Sequence, residues 1–376
     1  MRQIEAFRDR RLAQTLAAAI RREARPGRRY RLMEFCGGHT HAIFRHGVQD
    51  LLPDNVRFVH GPGCPVCVLP AARLDLALHL ASEEEVILCS YGDMLRVPAS
   101  ARRSLLQARA EGADVRMVYS TRDALAIARD NPRRQVVFFA IGFETTTPPT
   151  AVAIRQAAAE GLDNFSVFCN HVLTPAAIRA ILDHPDSAID GLLGPAHVSA
   201  VIGSRPYEPL AQAYRRPLVI AGFEPLDVMQ SVLMLIRQLN EGRHEVENEY
   251  RRAVSRDGNR KAQACVDEVM EMRADFEWRG LGRLADSALR IRPAWAAFDA
   301  ERRFELPAAK AREVPGCECP AVLRGLKSPP DCRLFGSVCT PASPMGACMV
   351  SSEGACAAWW SYGRTRREVP DMEAGA

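Results

Sequence analysis

Short apolar segments alternate with helical segments over the first 240 residues, and this alternation limits the possible fold more than any other feature. The clearest example is the apolar run Val136–Ile141, which a Gly-rich segment and a helical pattern at 149–160 follow. The predicted strands are 29–35, 56–59, 85–89, 115–119, 136–141, 165–169, 190–193 and 217–221. Alternation of this kind is typical of parallel sheets covered by helices, so we predict an α/β fold.

The length of 376 residues predicts two or three domains. We predict an N-terminal helical segment (1–30, with the helix over 1–23), a first α/β domain (31–131) and a second α/β domain (132–243). Residues 244–376 form a helical and cysteine-rich domain, in which 244–275 reads as helical and 280–304 as irregular. A helix is also expected over 99–111. The two α/β domains are expected to face one cleft.

Polar residues fall at the carboxyl ends of the predicted strands, where open α/β sheets bind ligands. They are His39, His41, Glu144, Thr145, His171 and His197. Each of them alone is equally well explained as a residue that caps the next helix. Together they favour a site in the cleft, where the histidines and Glu144 can move protons.

A Cys-x-x-Cys pair, Cys64 and Cys67, follows a predicted strand and is framed by Gly and Pro. Two thiols at this spacing form an easily exchanged disulfide or bind one metal ion. The alternative is a tight turn whose cysteines are small apolar residues. Because Cys36 and His39 lie upstream in the segment CGGHTH, the redox or metal interpretation is favoured.

Six of the twelve cysteines lie between Cys317 and Cys356. Such clustering indicates a metal site, with either an iron–sulfur cluster or a structural zinc ion. Zinc sites usually contain paired Cys-x-x-Cys knuckles, and this segment has none, so iron–sulfur is favoured and zinc remains the alternative. Six thiols are two more than one cluster needs, and the surplus pair can form a disulfide near it.

The composition argues against two classes of partner. The net charge is only +4, and the 49 basic residues form no concentrated stripe, so nucleic-acid binding is not expected. No run approaches the ~18 apolar residues of a membrane span. The N-terminal segment lacks the apolar region of a signal peptide, so we expect a cytoplasmic protein with reduced cysteines.

Several motifs identify a family that the chain resembles. They are CGGHTHAIF at 36–44, GPGCPVC at 61–67, GFETTTPP at 142–149, CNHVLTP at 169–175, GPAHV at 194–198 and CMVSSEGAC at 348–356. The chain resembles the [NiFe]-hydrogenase maturation factor HypD family from about residue 30 to 362, with no departure at these positions. The resemblance implies a scaffold and electron relay on which the Fe(CN)2CO unit of the hydrogenase is assembled.

The resemblance also implies partners and residue roles. The partners are the small chaperone HypC, which shares the iron, and the cyanide donor HypE. Cys36 is implied as the thiolate that holds the iron, His39 as a further ligand, and Cys64 with Cys67 as the exchangeable dithiol. The implied ligands of a [4Fe-4S] cluster are Cys317, Cys332, Cys339 and Cys356, and the implied disulfide near it is Cys319–Cys348. Whether Cys317 or Cys319 is the ligand stays open.

Two other functions remain open. A stand-alone thiol–disulfide reductase would use the same cluster and dithiol, but it gives no reason for the Cys36-x-x-His39 pair. A binding protein with a structural zinc and no redox role is the third hypothesis. Iron that carries cyanide and CO favours soft thiolate ligands, which agrees best with the first hypothesis.

Overall fold

The computed structural model describes residues 7–83, 85–308 and 313–363. Within these residues the strands are β1 (Tyr30–Glu34), β2 (Val56–His60), β3 (Val86–Ser90), β4 (Val115–Met117), β5 (Gln135–Gly142), β6 (Phe165–His171), β7 (Gly191–Pro195), β8 (Leu218–Ala221), β9 (Val246–Asn248), β10 (Met270–Trp278) and β11 (Gly282–Ile291). They form a five-stranded sheet with the order β2-β1-β7-β8-β9, a four-stranded sheet with the order β4-β3-β5-β6, and a hairpin of β10 and β11. All pairs in the two larger sheets are parallel, which confirms the predicted α/β fold.

The helices connect these strands and cover the sheets. They are α1 (Arg10–Glu23), α2 (Gly37–Arg45), α3 (Val48–Leu51), α4 (Pro65–Val68), α5 (Ala71–Ser82), α6 (Gly92–Arg96), α7 (Leu105–Ala110), α8 (Thr121–Asp130), α9 (Thr147–Ala159), α10 (Thr174–Asp183), α11 (Ala196–Ile202), α12 (Glu208–Tyr214), α13 (Pro225–Glu241), α14 (Arg260–Val269), α15 (Ala300–Arg303), α16 (Cys319–Leu323) and α17 (Ala355–Ala358). Short 3₁₀ turns occur at 100–102, 205–207, 293–298, 329–331 and 347–349. No helix within the described residues is both long and apolar enough to span a bilayer.

Helix α1 shows how the sequence sets its own boundaries. Its N-cap is Asp9, whose carboxylate accepts hydrogen bonds from the N–H groups of Arg11 (2.7 Å) and Leu12 (3.1 Å). The buried side chains Ala17 and Ile20 pack with α13 against the five-stranded sheet. The predicted helix over 1–23 therefore begins at residue 10, and residues 1–6 lie outside the described part of the chain.

Three further sequence predictions need correction. Residues 244–275 are not helical throughout, because β9 and most of β10 lie within them. Residues 280–304 are not irregular, because β11 pairs with β10 in an antiparallel hairpin. Charged side chains on the exposed face of this hairpin hide its period-two pattern, while Phe276 and Trp278 are buried. The helix expected over 99–111 begins only at Leu105, because Ser104 caps it.

The two larger sheets do not follow the predicted division at residue 131. The five-stranded sheet takes β1 and β2 from residues 31–131 and β7 and β8 from 132–243. The four-stranded sheet likewise takes strands from both segments. The chain therefore leaves the first sheet after β2 and returns to it at β7. As a consequence, the carboxyl ends of β1, β2 and β8 lie close together.

Candidate functional site

Cys36 lies between the end of β1 and the start of α2. Its N–H donates to the carboxylate of Glu34 at 3.0 Å. Glu34 is 1% exposed, and its carboxylate also accepts from the hydroxyl of Thr40 and hydrogen-bonds with Nδ1 of His60 at 2.9 Å. One buried carboxylate therefore fixes the backbone that carries Cys36, the first turn of α2 and the end of β2.

The Cys64–Cys67 segment packs directly on the backbone of Cys36. Cys64 and Cys67 form a disulfide at the start of α4. Gly63 lies so close that a Cβ added to it would overlap the backbone N of Cys36. The N–H of Gly37 donates to the carbonyl of Gly63 at 3.3 Å. The structure thus brings Cys36 and the predicted dithiol together, and glycine is needed at the contact.

The surroundings of Cys36 favour a protonated thiol. Burial raises the pKa of Cys36 well above its ordinary value, and the Glu353 carboxylate acts in the same direction. The N–H groups of Gly38 and His39 at the start of α2 lower it by less. A bound metal cation overrides this balance, because a coordinating thiol is deprotonated. The site is therefore suited to a thiol that ionises when it binds metal.

His39 is fully buried one turn along α2. Its Nε2 lies 2.9 Å from the carbonyl oxygen of Ala221, at the end of β8. Because a carbonyl can only accept, this nitrogen carries the ring hydrogen. Nδ1 is buried and has no hydrogen-bond partner among the described residues. The His39 ring stacks on the ring of Phe223 with centroids 4.8 Å apart. The ring of His197 also packs against Phe223, with centroids 4.0 Å apart.

Glu144 and His171 lie at the ends of β5 and β6 in the other sheet. The Glu144 carboxylate accepts from the N–H and the hydroxyl of Thr174, both at 2.9 Å. Burial raises its pKa to about 7. The ring nitrogens of His171 hydrogen-bond with Thr150 at 3.0 Å and with Thr146 at 3.5 Å, and burial lowers its pKa to about 4.

The C-terminal cysteines gather around Cys319. The thiols of Cys317, Cys348 and Cys356 lie close enough to that of Cys319 to shift its pKa, which is raised well above its ordinary value. Gly346 faces two of these sulfurs, since an added Cβ would be 2.5 Å from Cys317 Sγ and 2.7 Å from Cys319 Sγ. The remaining two cysteines, Cys332 and Cys339, are also buried. Burial raises the pKa of Cys339, and the charges of Cys317 and Cys332 raise it further, which places these thiols near one another.

These thiols are the donor type that an iron–sulfur cluster needs, but their positions do not form a cluster site. The donors are all sulfur, and most are buried among apolar side chains, as such a cluster requires. Within the described ranges, no group of three or more His, Cys, Asp or Glu side chains is arranged to hold a metal ion. Cys319 and Cys348 are adjacent but remain free thiols. The donor set therefore fits the cluster by its chemistry alone.

Helix α4 connects the two groups of cysteines. It packs against α16, which begins at Cys319, and against the turn 347–349, which contains Cys348. Cys64, Cys67, Cys319 and Cys348 belong to one apolar cluster. The dithiol therefore lies between Cys36 on one side and the C-terminal thiols on the other.

Arg279 reinforces this junction. Its N–H donates to the carbonyl of Val68 at 2.7 Å, and its Nε donates to that of Leu69 at 3.0 Å. Its buried guanidinium also pairs with Glu313. The hydrogen bond with Cys319, and then the charge of Arg279, lower the pKa of Cys317 to about 7. One residue thus holds the end of the dithiol helix, through its backbone and its side chain, and influences the pKa of Cys317.

Comparison with known proteins gives one consistent result. The family model of HypD, described as the hydrogenase formation hypA family, matches residues 11–363. The chain belongs to the HypD family. It is 65% identical over 374 residues to the hydrogenase maturation factor HypD of Azotobacter vinelandii, which covers 98% of this chain and 99% of the relative.

Two further relatives agree. The hydrogenase expression/formation protein HupD of Azotobacter chroococcum mcd 1 is 64% identical over 377 residues, 99% of this chain and 100% of the relative. HypD of Escherichia coli K12 is 50% identical over 339 residues, 90% of this chain and 91% of the relative. The predicted family is confirmed. The relatives bear the name hydrogenase maturation factor, so the chain is a member of a hydrogenase maturation family.

The HypD motifs do not all meet at one point. Cys36, His39, Cys64 and Cys67 come together, and His197 joins them through Phe223. His41 lies further along α2 with its ring edge-on to Tyr362, at 5.4 Å. Glu144 and His171 hydrogen-bond with threonines and not with Cys36, His39, Cys64 or Cys67. Tyr207 is within electrostatic range of both groups, since its pKa is raised by burial and then by the charges of Glu144 and Cys36.

Sequence reasoning missed Glu34, Arg279 and Tyr207. Glu34 precedes Cys36 by two residues and directly follows the apolar pair Leu32 and Met33, and a carboxylate there was a detectable signal. Arg279 and Tyr207 are separated from Cys36 by more than 150 residues of chain. No local pattern marks them in an Arg-rich sequence.

Proposed function

We propose that this HypD family member is a cytoplasmic scaffold and electron relay for assembly of the Fe(CN)2CO unit of [NiFe] hydrogenase. The iron is its cargo, held by Cys36 together with a cysteine of the chaperone HypC, and the cyanide comes from HypE. The observation that carries this proposal is the packing of one disulfide between Cys36 and the C-terminal thiols. A stand-alone metal site would not need that disulfide.

Each group of residues has a defined part in this proposal. Cys36 supplies a soft thiolate for low-spin iron, and the unpartnered Nδ1 of His39 supplies a further donor. The Cys64–Cys67 disulfide takes up two electrons and two protons to become the dithiol, and it returns both when it forms again. Glu144, with a pKa raised to about 7, and His171 act as proton-holding groups further from the iron.

A [4Fe-4S] cluster is the resident cofactor of the proposal. Cys317, Cys332, Cys339 and Cys356 would hold it, and Cys319 with Cys348 would be the adjacent disulfide pair. When bound, the cluster supplies electrons at low potential. The role of the protein is to keep these thiols buried beside α4, so that exchange occurs with Cys64 and Cys67 rather than with solvent thiols.

Infrared spectroscopy tests the ligand role of Cys36. The protein is purified anaerobically with HypC from cells that also express HypE, as the native chain, as Cys36→Ser and as the control Cys265→Ser. Cys265 is buried against α9, away from the site. We expect cyanide and CO bands in the native and control proteins and none in Cys36→Ser, with cluster absorbance unchanged in all three. Unchanged bands in Cys36→Ser would contradict the proposal.

The same disulfide supports a second candidate, a stand-alone cluster-dependent thiol–disulfide reductase. Cys64 and Cys67 adjoin the C-terminal thiols with which they would exchange. Turnover of a protein disulfide without HypC, at equal rates in the native and Cys36→Ser proteins, would favour this candidate. Metal analysis of the same preparations separates both from a zinc-binding protein.

A further inference from the structure

The peptide group between Ala221 and Gly222 has both of its polar atoms bound by side chains. Its carbonyl oxygen accepts the Nε2–H of His39 at 2.9 Å. Its N–H donates to the carboxylate of Glu249 at 3.2 Å. His39 and Glu249 are 210 residues apart and are thereby joined through a single peptide unit.

Glu249 is held in place by a compact polar network. It directly follows β9, and its own N–H donates to the carbonyl of Ile220 at 3.0 Å. Its carboxyl group adjoins that of the buried Asp227, which pairs with Arg252. Arg252 in turn lies over the ring of Tyr250 at 4.0 Å. The acceptor of the Gly222 N–H is therefore fixed on several sides.

The end of β8 is pressed against this network. A Cβ added to Gly222 would be 2.5 Å from the ring of Tyr250 and would overlap the carboxylate of Asp227. Glycine is therefore required for the peptide to reach Glu249. On the other side of the same peptide, His39 cannot turn freely, because its ring is stacked on Phe223.

Hydrogen bonds in series strengthen one another. A carboxylate that accepts from a peptide N–H increases the negative charge on the carbonyl oxygen of the same peptide. The carbonyl then binds the Nε2–H of His39 more strongly. Partners of this kind fix the tautomer of a metal-binding histidine and raise the basicity of its other nitrogen. In His39 that other nitrogen is the unpartnered Nδ1.

We propose that Glu249 is a positioning residue for His39, which it holds, through the Ala221–Gly222 peptide, as the Nε2–H tautomer with Nδ1 free to bind iron. The tautomer part follows from the contacts of the protein alone. The iron part rests on the proposed function, in which the cargo iron is held at Cys36.

The test uses Glu249→Ala, Glu249→Gln and the control Glu245→Gln, which alters an exposed carboxylate four residues away. Nitrogen NMR of histidine-labelled protein, with the His39 signal assigned from its loss in His39→Gln, reports the tautomer and the exchange of the ring N–H with solvent. We expect a single Nε2–H tautomer in the native and control proteins. In Glu249→Ala we expect mixed tautomers or at least about tenfold faster exchange.

A second measurement uses ferrous iron alone as the probe, titrated anaerobically into the same proteins. We expect about tenfold weaker binding in Glu249→Ala, a smaller loss in Glu249→Gln, and no change in Glu245→Gln. If Glu249→Ala fails to fold, Glu249→Gln must still show faster ring exchange than the control at pH 8, because an amide is a weaker acceptor than a carboxylate. This pH lies above the pKa of Glu249, which burial and then the charge of Asp227 raise to about 7.

The two measurements distinguish a failure of the positioning role of Glu249 from a failure of the ligand role of His39. Unchanged tautomer and exchange in a folded Glu249 variant overturn the positioning role, whatever the iron titration gives. A changed tautomer with unchanged iron affinity overturns the ligand role of His39, and with it that part of the proposed function, while the link from Glu249 to His39 stands.

Discussion

A buried histidine lies near the carboxyl end of a strand in each of the two larger sheets, and the two histidines differ in how many ring nitrogens are hydrogen-bonded. His171, at the end of β6, has both ring nitrogens in hydrogen bonds with threonines. His39, beyond the end of β1, has one nitrogen bound and one free. A buried polar atom without a partner destabilises the fold, so its presence needs an explanation, and the one we propose is a bound metal ion. The comparison teaches that the position at a strand end identifies candidates, and hydrogen bonding separates them.

The largest expected effect is the pH dependence of the unfolding free energy that Glu144 causes at the end of the four-stranded sheet. Burial raises the pKa of Glu144 from 4.5 to about 7, so its contribution to stability is fully present below pH 4.5 and is lost as the pH rises through about 7. The change is about 3 kcal/mol. Urea unfolding at pH 5 and pH 8 should show most of this loss in the difference in unfolding free energy between the native protein and Glu144→Gln, because the opposite contribution of His171, whose pKa is lowered to about 4, cancels in that difference.

The exposed-carboxylate variant Glu245→Gln is the control for the Glu144 prediction. It should keep the pH dependence of the native protein. If Glu144→Gln keeps it as well, Glu144 is ionised in the fold, and the strand end is more polar than its buried position indicates.

The second prediction addresses the free nitrogen of His39 directly. His39→Gln retains an N–H donor for the carbonyl of Ala221 and removes Nδ1. We expect about 100-fold weaker ferrous iron binding, equivalent to about 2.7 kcal/mol, and an unfolding free energy within about 1 kcal/mol of the native value. Equal iron affinity in the variant and the native protein would remove the distinction between the two histidines.

The third prediction concerns the close backbone contact at the end of the five-stranded sheet. Gly63→Ala must move the backbone of Cys36 or of the dithiol segment, so we expect a loss of about 2 kcal/mol in unfolding free energy and weaker iron binding. The matched control is Gly92→Ala, where the nearest atoms belong to the exposed side chain of Met117. Equal stability of the two variants would show that the backbone around Gly63 and Cys36 can move without a loss of stability.

The smallest effect is expected at His171. His171→Gln keeps a group that can hydrogen-bond with Thr150 and loses the longer bond to Thr146, so we expect about 1 kcal/mol of destabilisation and unchanged iron affinity. Chemical denaturation and iron titration of the same samples check both statements. A loss of iron affinity comparable to that of His39→Gln would place both histidines in one site.

The sequence predicts most strands of the two larger sheets well, because apolar strands, caps and glycines act locally. The predicted strand 136–141, which lies within β5, and the predicted strand 29–35, which contains β1, are examples. The hairpin of β10 and β11 was missed, since its charged face obscures the alternation. The link from Glu249 to His39 could not be predicted, because it passes through a backbone peptide and joins residues that the fold alone brings together.

The most direct test of this account is a crystal structure of the anaerobically purified protein with anomalous scattering measured at the iron absorption edge. We predict one iron peak beside Cys36 and the unbound nitrogen of His39, and a second, larger peak among the C-terminal cysteines. Protein that shows cyanide and CO infrared bands but has no iron beside Cys36 would contradict it.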